Sequence, residues 1–108
     1  MKIITKKKER KIKSKECWNL DYELIKWLNE HLKIYKSDAL KNVDLTFHKI
    51  KYRNKEYTQL EIIDLLIKYT DYMVDEETYY LKDNYKKINK YKNRIYELMR
   101  EIHWFMWW

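Results

Sequence analysis

Apolar side chains recur along the chain at spacings that divide it into three amphipathic helices and one extended segment. Leu20, Leu24, Trp27, Leu28, His31, Leu32 and Tyr35 fall at helical spacing, which predicts a first helix from Asn19 to about residue 41. Asn19 suits the N-cap, Asp21 and Glu23 place negative charge at the positive end of the helix dipole, and Lys33 and Lys36 suit its later turns. Beyond it the period changes. Val43, Leu45 and Phe47 alternate, as do Ile50 and Tyr52, and Asn54 separates Lys51-Tyr52-Arg53 from Lys55-Glu56-Tyr57. That pattern predicts a loop leading into a small β-hairpin that turns near Asn54. Thr58-Gln59-Leu60-Glu61 is a capping box and opens a second helix. Its stripe of Leu60, Ile63, Ile67, Thr70 and Val74 is widened by Ile62, Leu66 and Met73, so burial on more than one side is expected.

Asp75-Glu76-Glu77-Thr78 interrupts the apolar pattern, and Asp75 can cap a third helix running from about residue 76 nearly to the end. Leu81, Tyr85, Ile88, Lys92, Ile95, Met99, Ile102 and Met106 alternate by four and three, a heptad seam broken at Lys92 and flanked by Tyr91, Leu98 and Phe105. A helix of about 30 residues would be about 45 Å long, more than a globule of this size spans. The expected fold class is therefore mainly α: a three-helix amphipathic domain with a small β-hairpin, oligomerising through the long C-terminal helix. Residues 17–108 form the single domain, and residues 1–16 a basic N-terminal arm. No internal repeat is visible.

Composition sharpens this picture in three ways. The 108 residues include five Trp, eleven Tyr and two Phe, more ring surface than one small core hides, so some rings are expected between copies of the chain or in a binding site. The chain has no Gly and no Pro. Turns that need positive φ must fall to residues such as Asn42, Asn54 and Asn84, and the glycine-rich phosphate loops of nucleotide-binding enzymes are excluded. An AT-rich coding sequence accounts for this bias without any functional cause. The charge is uneven as well. Residues 1–16 carry eight Lys/Arg against Glu9 and Glu16, a net +6 of the chain's +7, and leave a nearly neutral body. Such an arm attracts nucleic acid or an anionic surface nonspecifically, or serves as a solvated terminus. The lone Cys17 forbids an intramolecular disulfide and fits a reducing cytoplasm, and no apolar stretch is long enough for a signal or a membrane span.

No catalytic or metal-binding constellation is visible. His31, His48 and His103 stand far apart and form no compact motif with Cys17, so the chain reads as a non-enzymatic protein without a cofactor or metal. Two aromatic segments stand out. Trp18 beside Asn19 can staple the entering chain to the first helix, or can stack a base beside the free amides of the helix start. His103-Trp104-Phe105-Met106-Trp107-Trp108 can plug the core or a subunit interface, form an aromatic ligand pocket where Arg94 or Arg100 meets a negative group, or anchor at a membrane interface; the last is the weakest reading.

Glu16 and the run Cys17-Trp18-Asn19-Leu20-Asp21, with a following helix that reaches Leu32-Lys33, resemble the opening of a widespread family of small bacteriophage proteins. Leu60-Glu61-Ile62-Ile63-Asp64 stands where that family's second helix falls, and Trp107-Trp108 resembles its aromatic ending. The likeness loosely covers residues 16–108, and the Gly-Tyr-Pro loop common in the family has no counterpart here. The resemblance implies a phage accessory protein acting in the host cytoplasm. Such proteins commonly counter host defence, and one class consists of oligomeric helical sponges that hold nucleotide immune signals without cleaving them. The leading expectation is a homo-oligomer that sequesters a small anionic, nucleotide-type ligand through Trp18, Asn19, Arg94, Arg100 and Trp104. The competing expectations are a protein-binding inhibitor of a host defence factor that uses its Trp-rich end, and nucleic-acid binding through residues 2–15.

Overall fold

A computed structural model describes residues 19–75 and 85–106, so the basic arm, Trp18, Asn84 and the Trp107-Trp108 pair lie outside the described residues. The chain is mainly helical. Helix α1 spans Leu20–Asn42, strands β1 and β2 span Lys49–Tyr52 and Lys55–Thr58, helix α2 spans Gln59–Met73, helix α3 spans Tyr85–Ile102, and a 3-10 turn covers His103–Phe105.

The predicted hairpin is present. The two strands pair antiparallel from Lys49 opposite Thr58 to Tyr52 opposite Lys55. Arg53 and Asn54 both take positive φ, at 49° and 65°. This is what a two-residue hairpin turn requires if its twist is to match the strands. Asn54 is a residue type that tolerates the left-handed region, whereas Arg53 adopts it at a steric cost. Asn42 does not take positive φ; it ends α1, and its side-chain amide donates to the Asp38 carbonyl at 2.9 Å.

Helix α2 starts as its sequence dictates. Thr58 Oγ1 accepts from the Glu61 amide at 3.1 Å, and Glu61 Oε1 accepts from the Thr58 amide at 2.8 Å. The helix is central: α1 packs on one side, α3 on another, and β2 leads directly into it. That explains the width of its apolar stripe, with Ile62, Ile63, Leu66 and Met73 all buried. Burying Ile or Leu fully is worth about 1.5–3 kcal/mol each, which makes this helix the core's main contributor. Leu45 plugs the base of the loop after α1, and the Leu60 amide donates to its carbonyl at 3.0 Å.

The predicted face of α1 turns out rotated, whereas most of the described seam of α3 packs on the core. On α1 the buried side chains are Tyr22, Ile25, Asn29, Leu32 and Ala39, whereas Leu20, Leu24 and Trp27 are exposed. On α3 the predicted seam residues Ile95 and Ile102 are buried, Ile88, Met99 and Met106 pack against the core half-buried, Leu98 joins the seam it was expected to flank, and Tyr85 faces solvent. On α1 two stripes satisfy the same spacing, and the stripe chosen is the one that meets α2. The described part of α3 has 18 residues, about 27 Å of helix, and its α-helical course ends at Ile102; the expected start near residue 76 lies outside the described residues.

Candidate ligand-binding surface

The core stripe of α3 dictates what its other face carries. With Ile95, Leu98 and Ile102 turned inward, Tyr96, Arg100 and His103 line up outward at spacings of four and three, with the half-buried Met99 at the edge between the two faces. The 3-10 turn then divides the aromatic terminus. Phe105 is half-buried and packs on the core, and Gln59 Nε2 donates to its carbonyl at 2.7 Å, which pins the turn to the start of α2. Trp104, one residue earlier, is thrown outward and is 82% exposed. Tyr96, Met99, Arg100, His103 and Trp104 together line a shallow depression of about 380 Å³.

The chemistry of this depression is cationic and aromatic. The rings of His103 and Trp104 meet edge to face with centroids 5.1 Å apart, and the Trp104 side chain is largely exposed. The Arg100 guanidinium is mostly exposed, and among the described residues its polar contact is with its neighbour Glu101, at 3.4 Å. So long and exposed a pair contributes little and leaves the guanidinium free to meet an anion. An indole face, an arginine and an imidazole on one surface can stack a planar group and neutralise an attached negative charge.

Of the five residues singled out in the sequence, the structure brings together Arg100 and Trp104. Arg94 points elsewhere: its Nη1 donates to the Tyr52 hydroxyl at 3.4 Å, on the hairpin side of α3. There Glu97 accepts from Tyr52 Oη at 2.7 Å and from Arg53 Nε and Nη2 at 3.0 and 3.1 Å. The Arg53 hydrogen bonds, then that of Tyr52, hold the Glu97 carboxyl down at about 2. Arg94 therefore belongs to a clamp between hairpin and helix. Asn19 does sit at the start of α1, but as a left-handed residue with φ 53° whose side chain makes no capping hydrogen bond. Its carbonyl accepts from the Glu23 amide at 2.9 Å, which corrects the expected side-chain cap. It lies on a helix that packs on another side of α2 from α3. His103 stood in the aromatic segment singled out in the sequence, whereas Tyr96 and Met99 were missed as site residues. The available signal was their complementarity to the stripe Ile95-Leu98-Ile102, legible only once that stripe is chosen over its neighbour.

A second cavity, of about 270 Å³, lies between Tyr35, Phe47, His48 and Phe105, with Asp44 at its edge. The Asp44 carboxylate is occupied by the hydroxyl and amide of Thr46, which hold its pKa below the usual carboxylate range. Burial pushes the Tyr35 phenol upward. Apolar walls and an acid at the rim make this cavity a poorer receptor for an anion than the Arg100–Trp104 depression.

Among the described residues, no group of three or more His, Cys, Asp and Glu side chains is placed to hold a metal ion, and no helix is long and apolar enough to cross a membrane. No protein-family model, curated protein or solved structure matches this chain.

Proposed function

We propose that this chain is a non-catalytic binding protein that captures a small planar anion, a nucleotide-type signal, on the surface of Tyr96, Met99, Arg100, His103 and Trp104. The observation that carries the reading is the outward indole of Trp104 beside an exposed guanidinium and an imidazole. Stacking on an aromatic face is worth about 1–3 kcal/mol per base, and the arginine adds a charge-assisted bond to phosphate. The groups on this surface hold and orient; the reading assigns them no bond-breaking step.

A depression this shallow leaves one face of a ligand in water. Ligand sites usually cover most of the molecule they hold. The reading therefore includes assembly of copies through α3, whose exposed Tyr85 and Tyr96 and the adjoining Trp104 would close over the ligand. The setting we assign, a phage protein that counters host defence in the host cytoplasm by sequestering the signal, rests on the resemblance of residues 16–21 and the aromatic terminus.

Calorimetric titration with cyclic dinucleotides, cyclic trinucleotides, ADP-ribose derivatives and inorganic phosphate tests this. Saturable heat is expected for at least one nucleotide and not for phosphate alone, because the stacking contribution needs a base. No heat from any nucleotide would overturn the reading. Trp with Arg is also the composition of a protein-binding hot spot, so the openness of the same patch favours, as a second reading, an inhibitor of a host defence protein. In that case a stoichiometric protein partner would be retained by the wild type and lost by Trp104→Ala.

A further inference from the structure

We propose that the cavity between Tyr35, Phe47, His48 and Phe105 is a site for a small alkylammonium ion free in solution, its apolar groups against the rings and its charge toward Asp44. The walls come from three parts of the fold: Tyr35 from α1, Phe47 and His48 from the loop before β1, and Phe105 from the 3-10 turn. The His48 ring joins the other two walls. It meets Phe47 edge to face with centroids 5.1 Å apart, and Phe105 at 5.3 Å. With the Tyr35 phenol, these rings enclose a space of about 270 Å³. The faces of aromatic rings carry negative potential, and cages of such rings hold quaternary ammonium groups by it.

The polar groups around this space favour the same guest. The chain has 24 Lys and Arg among its 108 residues, yet none of them lines the cavity, and Asp44 does. Both hydrogen bonds from Thr46 fall on Asp44 Oδ1, which leaves the lone pairs of Oδ2 to a ligand. The same bonds hold the carboxyl below its usual range, so it is ionised at neutral pH. Gln59 adds a second acceptor. Its Nε2 is committed to the Phe105 carbonyl, and its Oε1 accepts no hydrogen bond among the described residues.

A cavity that offers ring faces, a carboxylate and an amide oxygen, and neither lysine nor arginine, selects a cation over an anion or a neutral molecule. Its size sets the class further. Ligand pockets run from about 300 to 1,000 Å³, so this space sits at their low end and suits a trimethylammonium group better than a nucleotide. The cavity shares no residue with the Arg100–Trp104 surface, so either can fail without the other.

Titration of the full isotope-labelled chain with choline in mildly alkaline buffer, followed by two-dimensional NMR, tests the site. The control is choline's uncharged isostere, in which carbon replaces the ammonium nitrogen. Choline should give saturable shifts at Asp44, Phe47, His48 and Phe105, and the isostere should bind at least about tenfold more weakly. Asp44→Asn keeps an oxygen for the Thr46 amide but loses the charge, and should raise the choline dissociation constant about threefold. Phe47 is 72% exposed, so Phe47→Leu leaves the fold intact, and it should weaken choline more than the isostere because leucine fills the wall without a ring face. No saturable choline shift at these residues, an isostere that binds as well as choline, an unchanged affinity in Asp44→Asn, or an equal loss of both guests in Phe47→Leu would each overturn the proposal.

Discussion

Individual side chains in this protein act mostly by joining elements that are distant in sequence. Asn29 on α1 is buried and donates to Thr70 Oγ1 at 2.8 Å and Asp71 Oδ1 at 2.9 Å on α2, and Thr70 in turn donates to the Leu66 carbonyl. Burial opposes ionisation of Asp71, but the hydrogen bonds from Lys33 and Asn29 outweigh it and bring its pKa below the ordinary value. Glu97 does the same work between the hairpin and α3, and its titration has a measurable sign. Its carboxyl falls from 4.5 to about 2 on folding, so its contribution to stability is complete above about pH 4.5 and drains away as pH falls toward 2. The melting temperature of Glu97→Gln should therefore lie below that of the wild type at neutral pH, and the gap should close between about pH 4.5 and 2. A gap that is constant over that range would show that the Arg53 and Tyr52 bonds do not depend on the carboxylate's charge. None of these long-range partnerships was legible in the sequence. Arg94 looked like a free cation there because nothing local connects it to Tyr52, 42 residues away.

The elements themselves were legible wherever the signal is local. A capping box occupies four consecutive residues, and Thr58 and Glu61 make both of its hydrogen bonds. Thr58→Ala should cost about 1 kcal/mol, within a range of about 0.5–2, read as a lowered denaturant midpoint at unchanged slope. An unchanged midpoint would mean that the strand leading into α2, and not the cap, fixes where that helix begins. The hairpin was equally local, since Asn54 is a residue that accepts positive φ, and it falls where the turn must be. Helix faces were harder. On α1 the stripe Leu20-Leu24-Trp27 and the stripe Tyr22-Ile25-Asn29-Leu32 are both helical in period, and the one with the buried asparagine is the core face. Hydrophobicity alone favours the wrong stripe there. The polar network of Asn29 with Thr70 and Asp71 decides it, and that network spans more than forty residues of chain.

For the molecule as a whole, the excess of aromatic residues has a definite address. Tyr69, Tyr72 and Tyr91 cluster between α2 and α3 with centroids 4.9 Å apart, and Phe105 packs inward. Trp27 and Trp104 do not; one stands on the exposed face of α1, the other on the depression at the end of α3. Two separated exposed indoles are costly to leave in water on so small a body, and the one at the end of α3 is the ring the proposed function uses. Fluorine NMR of protein labelled with 5-fluorotryptophan, its signals assigned by single Trp→Phe variants, reads both indoles at once. The Trp104 resonance should move when the nucleotide identified by calorimetry is added. If the Trp104 resonance responds to no nucleotide, the Arg100–Trp104 surface does not have the role assigned to it.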